Sequence, residues 1–430
     1  MNDEAGPQAT GSSARGLRAY WALGGLVLGL VLGLLAVSWP ASTHDAALSI
    51  ASFIGTLWLN GLKMTVIPLV VTLLVTGVAK SAEAAKAGRI ASRSVLWIVI
   101  VCTVSALFGA IAMLLLTHLV PLAPSTAAAL QGALAAVEQR TTVPLAGVSD
   151  FFKGVIPSNV IAAASNGDVL PLVVFALLFA LALTRIAEPA RRSVVTLFEA
   201  VADALLVIVR WVLWIAPLGV FALAFSVGSE AGGSAFAGLG HYIALVSAVG
   251  ILWMILAAYP MGIIGGRVQP ARFLRAMIGP QAVAISTRSS LASLPAMLTA
   301  SRAIGVRPRV ADIALPLAVA LFRSTGPAMN VAVAFYVAHW LGIYPSETQM
   351  FAAIAVGAVM SYGAVSLPGE VTYISSIAPI SLALGIPIAP LGLLVAVEMV
   401  PDIFRTLGNV TFDVALATVV DRSVTDPSRT

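Results

Sequence analysis

The sequence contains few charged residues for its length. Asp, Glu, Lys and Arg together make up 10% of its 430 residues, whereas hydrophobic residues make up 59%. A soluble globular domain carries about 25% charged residues. The mean hydropathy of +0.99 extends over the whole chain and leaves little room for a soluble domain. The composition therefore predicts one membrane-embedded unit with short polar ends.

Cysteine is nearly absent from the sequence. Cys102 is the single cysteine, so no intrachain disulfide can form, and the four histidines are scattered. We therefore expect no zinc or iron–sulfur site and no bound cofactor. The net charge of +5 does not predict a nucleic-acid partner, because basic residues of membrane proteins concentrate in cytoplasmic loops.

Long apolar segments alternate with short polar joints. Residues 20–37 form a run long enough to span a bilayer core, which indicates a retained first helix rather than a cleaved signal peptide. The apolar segments lie at about 19–40, 50–79, 94–119, 168–187, 198–228, 236–262, 270–301, 310–340, 346–384 and 388–421.

The positions of Lys and Arg predict the orientation of these segments. The basic clusters at the joints are Arg15/Arg18, Lys80/Lys86/Arg89/Arg93, Arg185/Arg191/Arg192, Arg267/Arg272/Arg275, Arg302/Arg307/Arg309 and Arg422/Arg429. The positive-inside rule places all of them, and both termini, in the cytoplasm. Two consecutive clusters flank residues 276–301, so this segment must enter and leave on the same side as a re-entrant hairpin.

Two segments have the polar tip of a hairpin. The first tip is TRSSLASLP at residues 287–295, and the second is YGAVSLPGE at residues 362–370, which should enter from outside. We therefore expect an all-α polytopic membrane fold with eight transmembrane helices and two oppositely oriented re-entrant hairpins. Inverted repeats with broken helices are typical of secondary transporters, whose substrate site lies where the breaks meet.

The last apolar segment carries a stripe of polar residues. Its members are Glu398, Asp402, Arg405, Asn409 and Asp413. On an α-helix they fall within roughly 80° of one face. An arginine can hold a carboxylate bidentately and an aspartate can accept from an ammonium, so the stripe suits a charged carboxylate substrate. The alternative is an internal ion-pair ladder that only fixes helix packing.

Three arginines lie inside apolar segments or at a hairpin tip, namely Arg288, Arg323 and Arg405. A charge inside the membrane costs several kcal/mol, so such residues line a cavity or pair with an opposite charge. We expect a functional role for Arg405, and leave functional and structural roles equally open for Arg288 and Arg323.

The last helix resembles a motif of the dicarboxylate/amino acid:cation symporters, the glutamate-transporter family. The matching residues are DIFRT at 402–406 and NVTFD at 409–413, and further similar blocks lie at 61–79 and 156–178. The resemblance covers roughly residues 50–420. It implies that Asp402 binds the substrate's amino group, Arg405 its side-chain group, Asn409 its main-chain carboxylate, and Asp413 a sodium ion.

Both hairpin tips also resemble family features. In the family, the serine-rich tip of the first hairpin holds the main-chain carboxylate, which indicates Ser289 and Ser290, flanked by Thr287 and Arg288. Backbone N–H groups at such a tip are natural anion donors. Gly363, Pro368 and Gly369 of the second tip are expected to let that hairpin hinge as a gate, or simply to form its turn.

The seventh helix departs from the family pattern. The family has Asn-Met-Asp-Gly-Thr at its break, whereas this chain has FRSTG at residues 322–326. A hard cation requires oxygen ligands, so Arg323 would repel it, and at least one sodium site is expected to be missing. Arg323 is a candidate built-in cation, and Glu370 is a candidate partner of Arg323 or Arg288, the alternative being an exposed residue at the hairpin tip. Alternatively, Glu370 or Glu398 carries a coupling proton.

The resemblance implies an architecture and an assembly. We expect cytoplasmic tails at 1–18 and 422–430 around one transporter unit at 19–421. Residues of about 19–79 and 150–228 would form a scaffold, and about 94–119 and 236–421 a transport domain that moves as an elevator. A homotrimer in the bacterial inner membrane, multi-pass and surrounded by lipid, is the expected form.

The expected function is cation-coupled symport of a small carboxylate, either an acidic amino acid or a C4 dicarboxylate. Sodium and the proton both remain candidate coupling ions. An intramembrane hydrolase is disfavoured because no histidine lies near the hairpins. A transport-impaired relative that binds ligand as a sensor or conducts ions is the other alternative, because FRSTG removes known ion ligands.

Overall fold

Helices form all the regular structure in the described part of the chain. A computed structural model describes residues 9–86, 88–128, 156–361 and 369–424, with the backbone alone for 9–20, 84–86, 231 and 369–372. The helices are α1 (Ala9–Ala36), α2 (Ala41–Lys86), α3 (Arg89–Leu119), α4 (Val160–Asn166), α5 (Val169–Leu183), α6 (Glu188–Trp214), α7 (Ala216–Ala231), α8 (Ser234–Trp253), α9 (Pro270–Thr287), α10 (Ser290–Ala303), α11 (Pro308–Leu321), α12 (Thr325–Leu341), α13 (Glu347–Met360), α14 (Gly369–Leu384), α15 (Ala389–Leu394) and α16 (Met399–Ser423).

Several helical segments of the described residues correspond to the predicted membrane crossings. Five are long and apolar enough by themselves: α2, α3, α8 with its extension to Gly265, the α11–α12 pair, and α16. A sixth consists of α6 and α7, which are bent by 56° relative to each other. The other two predicted crossings fall on α1 and α5, which are shorter apolar helices, so the count of eight stays a prediction. The segment predicted as one span at 198–228 is bent between α6 and α7, because Pro217 at the start of α7 lacks a backbone N–H donor.

Two antiparallel helix pairs form the predicted hairpins. The arms α9 and α10 pack against each other, as do α13 and α14. The base of the first hairpin lies at the C-terminal end of α16, where Arg307 Nε donates to Asp421 Oδ1 at 2.7 Å. The second hairpin leads through α15 into the N-terminal end of α16. The hairpins therefore approach α16 from opposite ends, and the predicted all-α membrane fold is confirmed.

Breaks in the helices lie close to α16. Between α11 and α12, Phe322 adopts an extended backbone, with φ −104° and ψ 106°. Two turns of π-helix, Met254–Ala258 and Met261–Gly265, extend α8 and flank Pro260. Such breaks free backbone polar groups inside the protein, and partners must be supplied by other elements.

The helices pack in two groups. One group comprises α1, α2, α5, α6 and α7, and the other comprises α3, α8–α14 and α16, with contacts between the groups mainly through α2 and also through α5, α6 and α7. In the first group, Gly25 and Gly29 of α1 lie against the carbonyl oxygens of Pro217 and Phe221, because small residues let membrane helices approach closely. The grouping parallels the predicted scaffold and transport domain, and that functional division stays a prediction. Helix α1 begins at Ala9 and includes part of the segment predicted to be a tail.

Candidate functional site

All members of the polar stripe are buried. Relative exposures are 0% for Glu398 and Asp413, 5% for Asn409, 6% for Asp402 and 8% for Arg405. Glu398 lies immediately before α16, as its N-cap residue, and the other four lie inside the helix. Both arms of the first hairpin, and α3, α8, α11 and α12, pack around α16. Buried charges must be paired or must bind a ligand, so this stripe is the candidate site.

Arg405 makes its ion pairs with the protein through one nitrogen of its guanidinium. Its Nη1 contacts Glu398 Oε1 and lies 3.5 Å from Asp402 Oδ1. Its Nε and Nη2 are buried and have no hydrogen-bond partner among the described residues. These two nitrogens form the side-on fork of the guanidinium, whose geometry matches a carboxylate. The arrangement can therefore receive an anionic group on a preformed donor pair.

Asp402 is surrounded by positive charge. Arg288, at the first hairpin tip, places Nη1 3.9 Å from Asp402 Oδ2. Arg323 is half-buried beside the helix break, and its charge interacts with those of Asp402, Asp413 and Arg405. The three predicted intramembrane arginines are thus brought to one region of the structure.

The first hairpin tip presents the start of a helix. Arg288 ends α9 in the left-handed conformation, with φ 49°. Ser289 caps α10, because its Oγ accepts a 3.2 Å hydrogen bond from Ala292 N, while its own N–H faces Thr287 Oγ1 at 3.3 Å. Ser290 is the first residue of α10 and is half-buried. The capping bond uses a lone pair of Ser289 Oγ, so the hydroxyl hydrogens of Ser289 and Ser290 and the positive helix terminus are all available to an anion.

The backbone carbonyl at the helix break is already satisfied by side chains. Ser324 O accepts a hydrogen bond of 3.1 Å from Trp253 Nε1 and a second one from Ser105 Oγ. Phe322 is buried and its ring lies edge-on to Phe412, with centroids 6.1 Å apart. A carbonyl that accepts from two donors is a poor further ligand for a cation.

Asn409 and Asp413 lie next to this break. Asn409 Oδ1 accepts a 3.0 Å hydrogen bond from Thr325 N, which leaves its NH₂ group to donate elsewhere. Both oxygens of Asp413 are buried without a hydrogen-bond partner in the described part of the chain. The charge of Arg323 interacts favourably with that of Asp413. Asp413 therefore faces a fixed cation of the protein itself.

The second hairpin tip lies mostly outside the described residues. This applies to Gly363 and Pro368, and for Gly369 and Glu370 the structure describes only the helical backbone that begins α14. The predicted pairing of Glu370 with Arg323 or Arg288 stays a prediction. Within the described ranges, no group of three or more His, Cys, Asp or Glu side chains could hold a metal ion.

Several residues that reach the site have no signal in the sequence pattern. Tyr242 and Tyr373 contact each other beside Glu398. Gln281 of α9 donates through Nε2 to Tyr259 Oη and Thr411 Oγ1, each at 2.9 Å, and links the first hairpin to α16. All are single polar residues in apolar helices, and only the tertiary packing shows which of them meet.

Comparison with known proteins identifies a matching family and several relatives. Residues 19–423 match the family described as the sodium:dicarboxylate symporter family. The chain is 28% identical over 407 residues to the proton/sodium-glutamate symport protein of Bacillus subtilis (strain 168), covering 92% of this chain and 90% of the relative. It is 26% identical over 408 residues to the proton/glutamate-aspartate symporter of Escherichia coli (strain K12), covering 94% and 91%. It is 28% identical over 371 residues to the C4-dicarboxylate transport protein of Cupriavidus taiwanensis, covering 84% and 82%.

Proposed function

The chain belongs to the sodium:dicarboxylate symporter family, and we propose that it carries an acidic amino acid or a C4 dicarboxylate across the membrane by cation-coupled symport. Relatives named for glutamate, aspartate and C4-dicarboxylate transport support this substrate class. The family is one of transporters rather than enzymes. The resemblance to this family in the sequence is thereby confirmed.

The buried fork of Arg405 is the observation that carries the proposal. Its Nε and Nη2 are desolvated and lack a partner among the described residues, while Nη1 is held by Glu398 and Asp402. A donor pair of this kind matches the second carboxylate of a dicarboxylate or acidic amino acid. Asp402 then lies beside that carboxylate and can accept from an ammonium group.

The other carboxylate of the substrate would be held at the first hairpin. Ser290, the N-terminus of α10 and the amide of Asn409 offer donors on the side of α16 that faces the hairpin tip. A helix N-terminus favours an anion, because its N–H groups and its dipole point at the ligand. Ser289 contributes by capping the helix that presents these donors.

The charges of the site explain why a cation must accompany the substrate. Among the described side chains, Arg288, Arg323 and Arg405 balance Glu398, Asp402 and Asp413. A substrate with an excess of negative charge disturbs this balance in a desolvated site, where uncompensated charge is costly. A cation that enters with the substrate restores the balance.

We assign the coupling role to the proton rather than to sodium at Asp413. Arg323 supplies a positive charge to Asp413, and Trp253 and Ser105 engage the carbonyl of Ser324. Both features disfavour a sodium ion beside Asp413. Glu370 and Glu398 are the candidate proton carriers.

The packing supports an elevator movement in which the second group of helices moves as the transport domain. This group contains α16, both hairpins and the broken helix, so substrate and coupling ion would travel together. The first group would remain fixed and form the scaffold of a homotrimer in the bacterial inner membrane, with both termini cytoplasmic. The second hairpin would open as the gate.

A ligand-binding sensor or an ion-conducting relative is the second candidate function. The positive charge of Arg323 near Asp413 favours it, because a fixed charge at an ion site can remove coupling altogether. Tight binding of aspartate or succinate without uptake would support this second candidate.

Uptake of labelled aspartate and succinate into proteoliposomes tests the proposal. We expect uptake driven by an inward proton gradient and no response to a sodium gradient. Uptake driven by sodium alone would contradict proton coupling but keep the transport function. Absence of both binding and uptake for both compounds would contradict the substrate class.

A further inference from the structure

Two buried tyrosines form a hydrogen-bonded chain that ends on Glu398. Tyr242 of α8 and Tyr373 of α14 place their hydroxyl oxygens 2.8 Å apart, and Tyr242 Oη lies 3.4 Å from Glu398 Oε2. Their relative exposures are 0% and 1%. The other oxygen of the same carboxylate, Oε1, contacts Arg405 Nη1. Side chains from α8, α14 and the start of α16 thus meet on the Nη1 side of the Arg405 guanidinium.

The hydrogen bonds from Tyr373 through Tyr242 to Glu398 run in one direction. A phenol has a single hydrogen to donate, and a carboxylate only accepts. When Tyr242 donates to Glu398, it must accept from Tyr373, so both O–H dipoles point toward the carboxylate. Donors aligned in this way polarise each other and stabilise a buried anion. A phenylalanine would fill nearly the same volume, so the hydroxyls indicate a polar role for these positions.

The position of Glu398 decides which edge of Arg405 remains available. Glu398 has a long side chain, and it can engage either edge of a guanidinium when nothing else holds it. With Oε2 anchored by Tyr242, Oε1 contacts Nη1, and the fork of Nε and Nη2 has no partner among the described residues. The tyrosines therefore act on Arg405 through Glu398.

We propose that Tyr242 and Tyr373 are positioning residues for substrate selectivity, which hold Glu398 against Nη1 so that Arg405 presents Nε and Nη2 to the second carboxylate. This inference rests on the proposed function, in which that fork receives the carboxylate. Because Tyr373 belongs to the second hairpin, the position of that hairpin also affects whether Arg405 presents Nε and Nη2 to the substrate.

The test compares acids with their amides in Tyr242→Phe, Tyr373→Phe and the double variant. Binding of aspartate, asparagine, succinate and succinamate is measured on the full-length purified protein. Affinity for the acid should fall by about tenfold in each single variant, as expected for loss of a hydrogen bond to a buried charge, while affinity for the amide stays the same. The double variant should equal the single ones, because the two hydroxyls act in series.

Tyr336→Phe is the matched control. Tyr336 is equally buried, its ring lies 5.4 Å from that of Tyr242, and its hydroxyl bonds to Gly238 O and His241 rather than to Glu398. It should leave the ratio of acid to amide affinity unchanged.

Two results would overturn the inference. In the first, the Tyr242 and Tyr373 variants lose affinity for acid and amide equally, or Tyr336→Phe changes the ratio of acid to amide affinity as much as they do. Either outcome would mean that the hydroxyls only stabilise the fold. In the second, the ratio stays at the wild-type value in both single variants. Failure of the proposed function is seen separately, because the wild-type protein would then bind acid no better than amide.

Discussion

Trp253 Nε1 donates a 3.1 Å hydrogen bond to the carbonyl oxygen of Ser324, in the break between α11 and α12. Ser105 Oγ donates to the same oxygen and accepts from Ala328 N at 3.0 Å, so side chains of two other helices hold the broken segment. A freed backbone carbonyl inside a membrane protein must find such partners. Side chains of the protein itself therefore satisfy this carbonyl.

Trp253→Phe should destabilise the protein moderately. The carbonyl of Ser324 keeps Ser105 as a donor, so we expect the free energy of unfolding to fall by about 1–2 kcal/mol. The change is measured as a lower melting temperature in detergent. Trp211→Phe is the control, because Trp211 is 67% exposed and should give no shift. Equal melting temperatures for all three proteins would show that the indole bond is dispensable.

Arg323→Met should change the ion dependence of uptake. Removal of the guanidinium takes away a positive charge that interacts favourably with Asp413, so we expect uptake to become dependent on an added cation such as sodium. Glu370→Gln tests the proton carrier in the same assay and should weaken the response to a proton gradient. Arg210→Met, at an exposed position of α6, is the control. Unchanged ion dependence in both site variants would remove both assignments.

Asp413 and Arg323 should behave as a coupled pair in stability measurements. Asp413→Asn removes one of the negative charges that favour the half-buried Arg323, and Arg323→Met removes the positive charge that favours the buried Asp413, so each single variant should destabilise the protein. The double variant removes both charges, so it should be more stable than the sum of the single effects predicts. The melting temperatures of the four proteins give the coupling. Strict additivity would mean that the two groups do not stabilise each other.

Gly29→Ala should destabilise the contact between α1 and α7. A Cβ at Gly29 would overlap the carbonyl oxygen of Phe221 and the side chain of Ala224, whereas a Cβ at Gly24 meets no atom within 4 Å. Gly24→Ala is therefore neutral or stabilising by up to about 1 kcal/mol, because alanine is the better helix former. Gly29→Ala should lower the melting temperature in detergent. An equal response of both variants would argue against close packing at this interface.

The stripe on α16 could be predicted from the sequence because it depends on the spacing within one helix. The spacing of Glu398, Asp402, Arg405, Asn409 and Asp413 fixes a common face whatever packs against it. The hairpins were also predictable, since basic clusters and polar tips are local signals. The break at Phe322 was indicated by its residues and by the family resemblance.

The partners of the stripe could not be predicted in the same way. Tyr242 and Glu398 are separated by 156 positions in the chain, and Ser105 and Ser324 by 219. Helical periodicity identifies the face on which a residue lies, but it does not tell which residue of another helix meets it. Tyr242 and Ser105 therefore have no distinguishing signal in an apolar sequence. The bend at Ile215 was missed because the apolar pattern continues through it.

The central claim, that the side-on fork of Arg405 binds the second carboxylate of the substrate, is tested most directly by binding to Arg405→Lys. Lysine keeps the positive charge that Glu398 and Asp402 require, but it lacks the fork. In calorimetric titrations, affinity for aspartate and succinate should fall by about tenfold to a hundredfold, whereas affinity for asparagine and succinamate should stay the same. An equal change for acids and amides would contradict the claim.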